Sequence, residues 1–234
     1  MLKPYQTIPI HDCGEDLVVI PTSNFAFVTP HPYQKLGAPY GAISPYWVRE
    51  SVLAALQDAQ KQLQQEYQGW QIQIFDAYRP LAVQQFMVDY TFEALRQQAS
   101  ELSDCEIAQQ VEQFWAQPSP NPETPPPHST GAAVDITLVN ESGETLDLGG
   151  EIDEISARSD PNFYQDSTTV SGKLYHQRRE LLSRIMMTVG FRQHPEEWWH
   201  FSLGDQMWAW LKRQESCQTE VIAYYGRIDV NQTT

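Results

Sequence analysis

Apolar residues recur at helical spacing in several stretches of this chain and alternate with polar ones in others. Val48, Val52, Leu56, Ala59 and Leu63 lie three or four residues apart, which predicts an amphipathic helix ending near Gln65. Ser44-Pro45 marks its expected start, since Ser caps free N–H groups and Pro suits the first helical position. Gln71 to Ile74 alternates polar and apolar, the pattern of a half-buried strand, and runs directly into Asp76-Ala77-Tyr78-Arg79. Pro80 then opens a second helix carrying Val83, Phe86, Met87, Tyr90 and Leu95. Ser103 followed by Glu106 forms a capping box for a third helix through Ile107, Val111 and Phe114.

Six prolines between residues 117 and 127 exclude a regular helix or central strand there and predict a stiff surface loop ending at His128. Val134 to Val139 reads as a strand, followed by a turn at Glu141-Ser142-Gly143. Leu174 to Val189 predicts a last long helix, with Leu181, Leu182, Ile185 and Met186 inward and Gly190 at its C-terminal cap. Trp198 to Leu203 is aromatic and β-prone. Residues 1–43, rich in Pro, Tyr and Gly with a β-branched run from Leu17 to Ile20, read as strands and loops wrapping the core. Neither a repeat nor a linker interrupts the pattern. The order of elements predicts one α+β domain over residues 1–234, with helices packed on a central antiparallel sheet.

Composition narrows the function classes. At 234 residues, with 41 % hydrophobic and 12 % aromatic content, the chain can bury a substantial core. A net charge of −15 argues against nucleic-acid and anionic-membrane partners, which select basic surfaces. No stretch approaches the roughly 18 uninterrupted apolar residues of a membrane span. The first twenty residues carry His11, Asp12, Glu15 and Asp16 and do not read as a signal peptide. Cys13, Cys105 and Cys217 are odd in number and widely spaced, which disfavours a disulfide framework and a cysteine-ligated metal. A reduced, cytoplasmic protein is expected, of open oligomeric state.

Three distant segments carry the chemistry: Asp76 to Pro80, His128 to Asp135, and Glu197 to His200. A catalytic zinc takes three protein ligands and keeps a fourth position for water. His128, Asp135 and His200 fit that count, with one zinc per chain, and Glu197 is then free to act as base. Arg79 brings a permanent planar charge for a developing oxyanion. His128 and Asp135 are seven residues apart, so on one straight strand they would face opposite sides; the chain must turn between them, and Gly131 permits it. Glu197 and His200 require a bend at Trp198-Trp199 for the same reason. Taken singly, each segment also suits a surface His, a capping Asp or a core His among tryptophans. The combination points to a zinc peptidase.

These residues resemble the D-alanyl-D-alanine dipeptidases of peptidase family M15, zinc D,D-peptidases that share a fold with the Hedgehog signalling domain. The family pattern of Asp-x-Tyr-Arg-Pro, His-Ser-x-Gly-x-Ala-x-Asp and Glu-Trp-Trp-His recurs here in order, within a resemblance covering about Asn24 to Leu203. It implies zinc held by His128, Asp135 and His200, Glu197 as base and Arg79 as transition-state stabiliser. Leu148-Gly149 and Ile152-Asp153 stand where the family has Met-Gly and Phe-Asp, so Asp153 is implied to hold the substrate's ammonium, with Glu151 and Glu154 as nearby acids. Tyr78 and Ser129, inside the motifs, are expected to contact substrate as well. The chain departs from the pattern at Pro126, where the family has Ser, and at Val19, where a family Tyr aligns. The implied substrate is D-Ala-D-Ala or a similar small dipeptide. Two alternatives stay open: a carboxypeptidase or endopeptidase acting on longer peptidoglycan stem peptides, and a non-catalytic zinc-dependent peptide-binding protein. A serine or cysteine hydrolase is disfavoured, because Ser129 lies in no G-x-S-x-G elbow and no Cys neighbours a motif His.

Overall fold

The computed structural model describes residues 3–99, 101–216 and 220–230. Its strands and helices, in chain order, are β1 (Leu17–Val19), β2 (Ala26–Phe27), α1 (Pro32–Lys35), β3 (Trp47–Arg49), α2 (Glu50–Glu66), β4 (Gln71–Asp76), α3 (Leu81–Gln98), α4 (Asp104–Phe114), β5 (Ala133–Val139), α5 (Val170–Thr188), β6 (Arg192–Gln193), β7 (His200–Ser202) and α6 (Gln206–Ser216). Cys217 and parts of the 215–234 segment lie outside the described residues. No helix among the described residues is long and apolar enough to cross a membrane.

Five strands form the main sheet in the order β2-β4-β5-β7-β6, and β1 pairs with β3 in a separate ribbon. The expected antiparallel sheet is corrected to a mixed one, because β2 runs parallel to β4. Between them the chain crosses over through β3 and α2, the kind of long connection a parallel pair needs. The other pairs in the main sheet are antiparallel.

Every residue of the central strand β5 is buried. Val134, Ile136 and Leu138 join Ile72 and Ile74 of β4 in a core with Val52, Leu56, Ala59 and Leu63 of α2 and Leu181, Leu182, Ile185 and Met186 of α5. Alternation along β5 therefore sends Asp135 to the opposite face. A second apolar cluster, containing Tyr33, Tyr40, Val83, Met87, Ile107, Val111 and Trp115, brings together the 33–40 segment, α3 and α4.

The helical periodicity near Val48 has its start corrected. Trp47–Arg49 is strand, paired with Leu17–Val19, and the helix begins at Glu50. Ser44 Oγ accepts from the Tyr46 N–H in a local turn instead of capping a helix. Val48 is buried as expected, but as a strand residue. The long helix α5 starts four residues before Leu174, with Thr169 Oγ1 accepting from the Gly172 N–H. Helix α6 had no counterpart in the periodicity; Asp205 Oδ1 accepts the Trp208 N–H at its start.

Gly149 shapes the loop that carries Asp153. Its φ is +82°, and a Cβ there would run into the Tyr164 and Tyr175 rings. Gly149→Ala is expected to lower stability by about 2–4 kcal/mol through backbone strain and overpacking, read from urea unfolding midpoints.

Candidate active site

Three neighbouring strands place the acid and imidazole groups in one row. Asp135 on β5 faces Asp76 on β4 and His200 on β7, one on each side. Strict alternation would send Asp76 to the apolar face with Ile72 and Ile74. A bulge between Ile74 and Asp76 shifts the register by one residue and brings Asp76 beside Asp135. His128 arrives from the end of the Pro-rich segment, in a tight turn over Pro127–Thr130. Gly131 closes that turn at φ +70°, supplying the change of direction that the His128–Asp135 spacing requires. Glu197 precedes β7 in the irregular stretch at Trp198-Trp199, and its carboxylate lies 3.8 Å from His200 Nδ1.

His128, Asp135 and His200 are all buried, and their donor atoms lie within 4.8 Å of one another, so the three can hold a metal ion. His128 Nε2 is 3.2 Å from His200 Nδ1 and 3.2 Å from Asp135 Oδ2; His200 Nδ1 is 3.0 Å from Asp135 Oδ1. The far nitrogen of each ring is held. His128 Nδ1–H donates to the Ala77 carbonyl at 2.7 Å. Ser202 Oγ gives its proton to Asp205 at 2.8 Å and is left to accept from His200 Nε2–H at 3.3 Å. Both rings thereby direct a lone pair at the Asp135 carboxylate, the outer-shell orientation that metal-binding histidines need. Such a cluster of lone pairs calls for a positive charge. Burial lowers the His128 imidazole's affinity for a proton, but the Asp135 carboxylate outweighs it and raises that pKa. Burial alone would raise Asp135; a proton taken up by the facing imidazoles, first as the charge on His128 and then as hydrogen bonds from His128 and His200, holds it well below the usual carboxylate range. The field that retains a proton here also favours a metal cation.

Arg79 is buried beside this group. It donates from Nε to Asp76 Oδ2 at 2.8 Å, from Nη1 to Gln84 at 3.0 Å, and from Nη2 to the Tyr33 hydroxyl at 3.2 Å and Asp135 Oδ2 at 3.3 Å. The guanidinium sits over the Tyr33 and Trp115 rings, each centroid 5.0 Å away. Asp76 also accepts from His31 Nε2 and the Tyr40 hydroxyl. Burial pushes its carboxyl up, but Arg79 and His31 outweigh that and keep it ionised.

Asp153 has a left-handed backbone at φ +63°, unusual for a residue other than glycine. Its carboxylate accepts from the Tyr33 hydroxyl at 2.7 Å. Burial, with Asp135 adding repulsion, pushes its pKa up to about 6. Arg179 fastens both ends of this loop, donating to the Leu148 and Asp160 carbonyls at 2.8 Å each. Burial likewise pushes Glu197 up to about 7, opposed by His200.

One cavity is lined by Arg79, His128, Asp135, Asp153, Glu197 and His200, so the structure brings these six expected residues together. Tyr78 and Ser129 do not line it. The Tyr78 hydroxyl donates to the Ile228 carbonyl, and Ser129 Oγ donates to the Pro126 carbonyl. Both hydroxyls pin the chain outside the cavity lining. Glu154 is turned to Arg158, and Glu151 is exposed, so neither replaces Asp153. Val19 is 60 % exposed and does not line the cavity, whereas Pro126 is part of its wall.

Several residues had no advance assignment. Asp76 stood inside a motif, and its acidic character was the available signal. Tyr33, Trp115, Gln84, Lys3 and Tyr5 lie in no motif, and only the fold brings them to Arg79 or to the cavity wall.

The family model described as D-Ala-D-Ala dipeptidase, peptidase M15, matches residues 27–220. A D-alanyl-D-alanine dipeptidase of Synechocystis sp. is 50 % identical over 241 aligned positions, covering 97 % of this chain and 98 % of that one. The D-alanyl-D-alanine dipeptidase of Escherichia coli is 34 % identical over 135 positions, 58 % of this chain and 56 % of its own. The solved LdcB LD-carboxypeptidase aligns with a TM-score of 0.47 at 17 % identity, over 88 % of this chain and 78 % of that one. With its motif residues gathered in one buried cavity and its sequence matched from residue 27 to residue 220, the chain belongs to the D-Ala-D-Ala dipeptidase family, peptidase M15.

Proposed function

We propose that this protein is a zinc-dependent dipeptidase that hydrolyses D-Ala-D-Ala to two D-alanines. The observation that carries the reading is the buried His128–Asp135–His200 group with Glu197 beside it and Asp153 in the same cavity. Two imidazoles and a carboxylate suit zinc in both ligand type and number. Ligand atoms on a tetrahedral zinc lie about 3.3 Å apart, given bonds of 2.0–2.1 Å. With one donor atom taken from each residue, the three lie within 4.8 Å of one another, close enough to share one ion. When bound, zinc supplies a Lewis acid that brings the acidity of water toward neutral pH.

The protein's own groups do the rest. Glu197 accepts the proton of the attacking water and returns it to the amine that leaves. Its raised pKa suits a group that must hold a proton for part of the cycle. Arg79 keeps four N–H groups on Asp76, Gln84, Tyr33 and Asp135, which leaves one of its five donors for the developing oxyanion. Asp153 receives the substrate's ammonium, since burying that charge unpaired would cost several kcal/mol. The exposed thiols of Cys13 and Cys105 suit a reducing compartment, and we assign the reaction to the cytoplasm.

A second reading follows from an open groove of about 450 Å³ that adjoins the cavity and shares Lys3 and Glu197 with it. Such a groove can take a longer stem peptide. The experiment is zinc analysis of the purified protein together with D-Ala release from free and N-acetylated D-Ala-D-Ala. One zinc per chain and cleavage of the free dipeptide are expected; preference for the acetylated form would move the assignment to a stem-peptide enzyme. Asp153→Ala is expected to slow the free dipeptide by about 10- to 100-fold and the acetylated one far less. Equal losses on both would assign Asp153 to the fold.

A further inference from the structure

A free dipeptide also carries a carboxylate, and the cavity that would receive it already contains Asp135, Asp153 and Glu197. An anion entering such a site needs a cation of its own. The cavity wall offers two permanent cations, Arg79 and Lys3. The Arg79 donors are committed as described, with the remaining one required at the reacting carbonyl.

Lys3 makes no salt bridge among the described residues, yet it stands on a fixed piece of chain. Its backbone N–H donates to Gln6 Oε1 at 2.8 Å, opening a tight turn over Pro4–Thr7 in which Tyr5 is buried. The Gln206 side-chain amide of α6 fastens this segment, donating to the carbonyls of Ile8 at 2.6 Å and Glu123 at 2.9 Å. Lys3 lies close enough for its charge to oppose part of the burial-driven rise at Glu197 and to add to the burial-driven fall at His194. It lines both the cavity and the adjoining groove, so it stands at the boundary where a substrate either ends or continues.

We propose that Lys3 is a specificity-determining residue that receives the free C-terminal carboxylate of the dipeptide, and so selects substrates that end one residue beyond the scissile bond. This rests on the dipeptidase reading above.

The test compares the zinc-loaded full chain with its Lys3→Met and Lys3→Arg variants on D-Ala-D-Ala and on its C-terminal amide. In Lys3→Met, KM for the free acid is expected to rise about 10- to 100-fold with little change in kcat, the size of a lost charge-assisted hydrogen bond. Kinetics on the amide should stay at the parental level, and Lys3→Arg should recover most of the affinity for the acid. Equal losses on acid and amide, a fall in kcat alone, or no change in Lys3→Met would overturn the proposal while leaving the dipeptidase reading in place. A parent chain that cleaves neither substrate overturns both.

Discussion

Glu197→Gln is expected to keep its zinc and lose turnover by about 10²–10⁴, the usual range for removing a positioned acid–base group. Gln preserves shape and hydrogen bonding but cannot accept a proton. Glu197 is not one of the three clustered donors, although its carboxylate is only 3.8 Å from His200 Nδ1, so the substitution leaves the donor set whole. Metal content and D-Ala release measured on one preparation check the two halves. A variant that loses metal makes Glu197 a ligand; one that retains near-parental turnover removes it as the base.

His200→Ala has the larger structural consequence, with metal and activity lost together. The substitution removes one of three donors and leaves Asp135 without one of its two imidazole partners. A ligand that binds only the folded state stabilises it by mass action, so a chelator should lower the melting temperature of the parent. The variant, with no metal to surrender, should melt at the same temperature with and without chelator. If it binds zinc stoichiometrically and shows the parental response to chelator, His200 is not a ligand.

The two substitutions separate roles that sit side by side. His200 and Glu197 are three residues apart and share a buried wall, and the far nitrogen of the His200 ring is fixed by Ser202, which in turn donates to Asp205. That outer contact distinguishes a group held for a metal from one left able to exchange a proton.

Much of this site was legible before folding was considered. The spacing His128 to Asp135 demanded a turn, and Gly131 adopts it at φ +70°. The apolar positions of α2 and α5 are the buried ones because a 3.6-residue period leaves a helix only one stripe to bury. The error at Ser44-Pro45 has an equally physical cause. Helical spacing continued through Val48, but Trp47–Arg49 found a partner in Leu17–Val19, and cross-strand pairing between distant segments overrides local periodicity. The parallel β2 was hidden for a similar reason, since two residues carry no signal of direction.

The sequence by itself determined which residue types the chemistry uses, most of the helices and strands near them, and that His128, Asp135, Glu197 and His200 form one constellation. Those facts reside in short windows, where spacing and side-chain chemistry suffice. Only the tertiary structure decided that Tyr78 and Ser129 pin the backbone away from the cavity, and that a bulge after Ile74 brings Asp76 beside Asp135. It alone brings the Tyr33 hydroxyl between Arg79 and Asp153, and Lys3 to the cavity wall. These contacts span up to about two hundred residues of chain. Long-range packing sets them, and no local pattern records which distant side chain will be there.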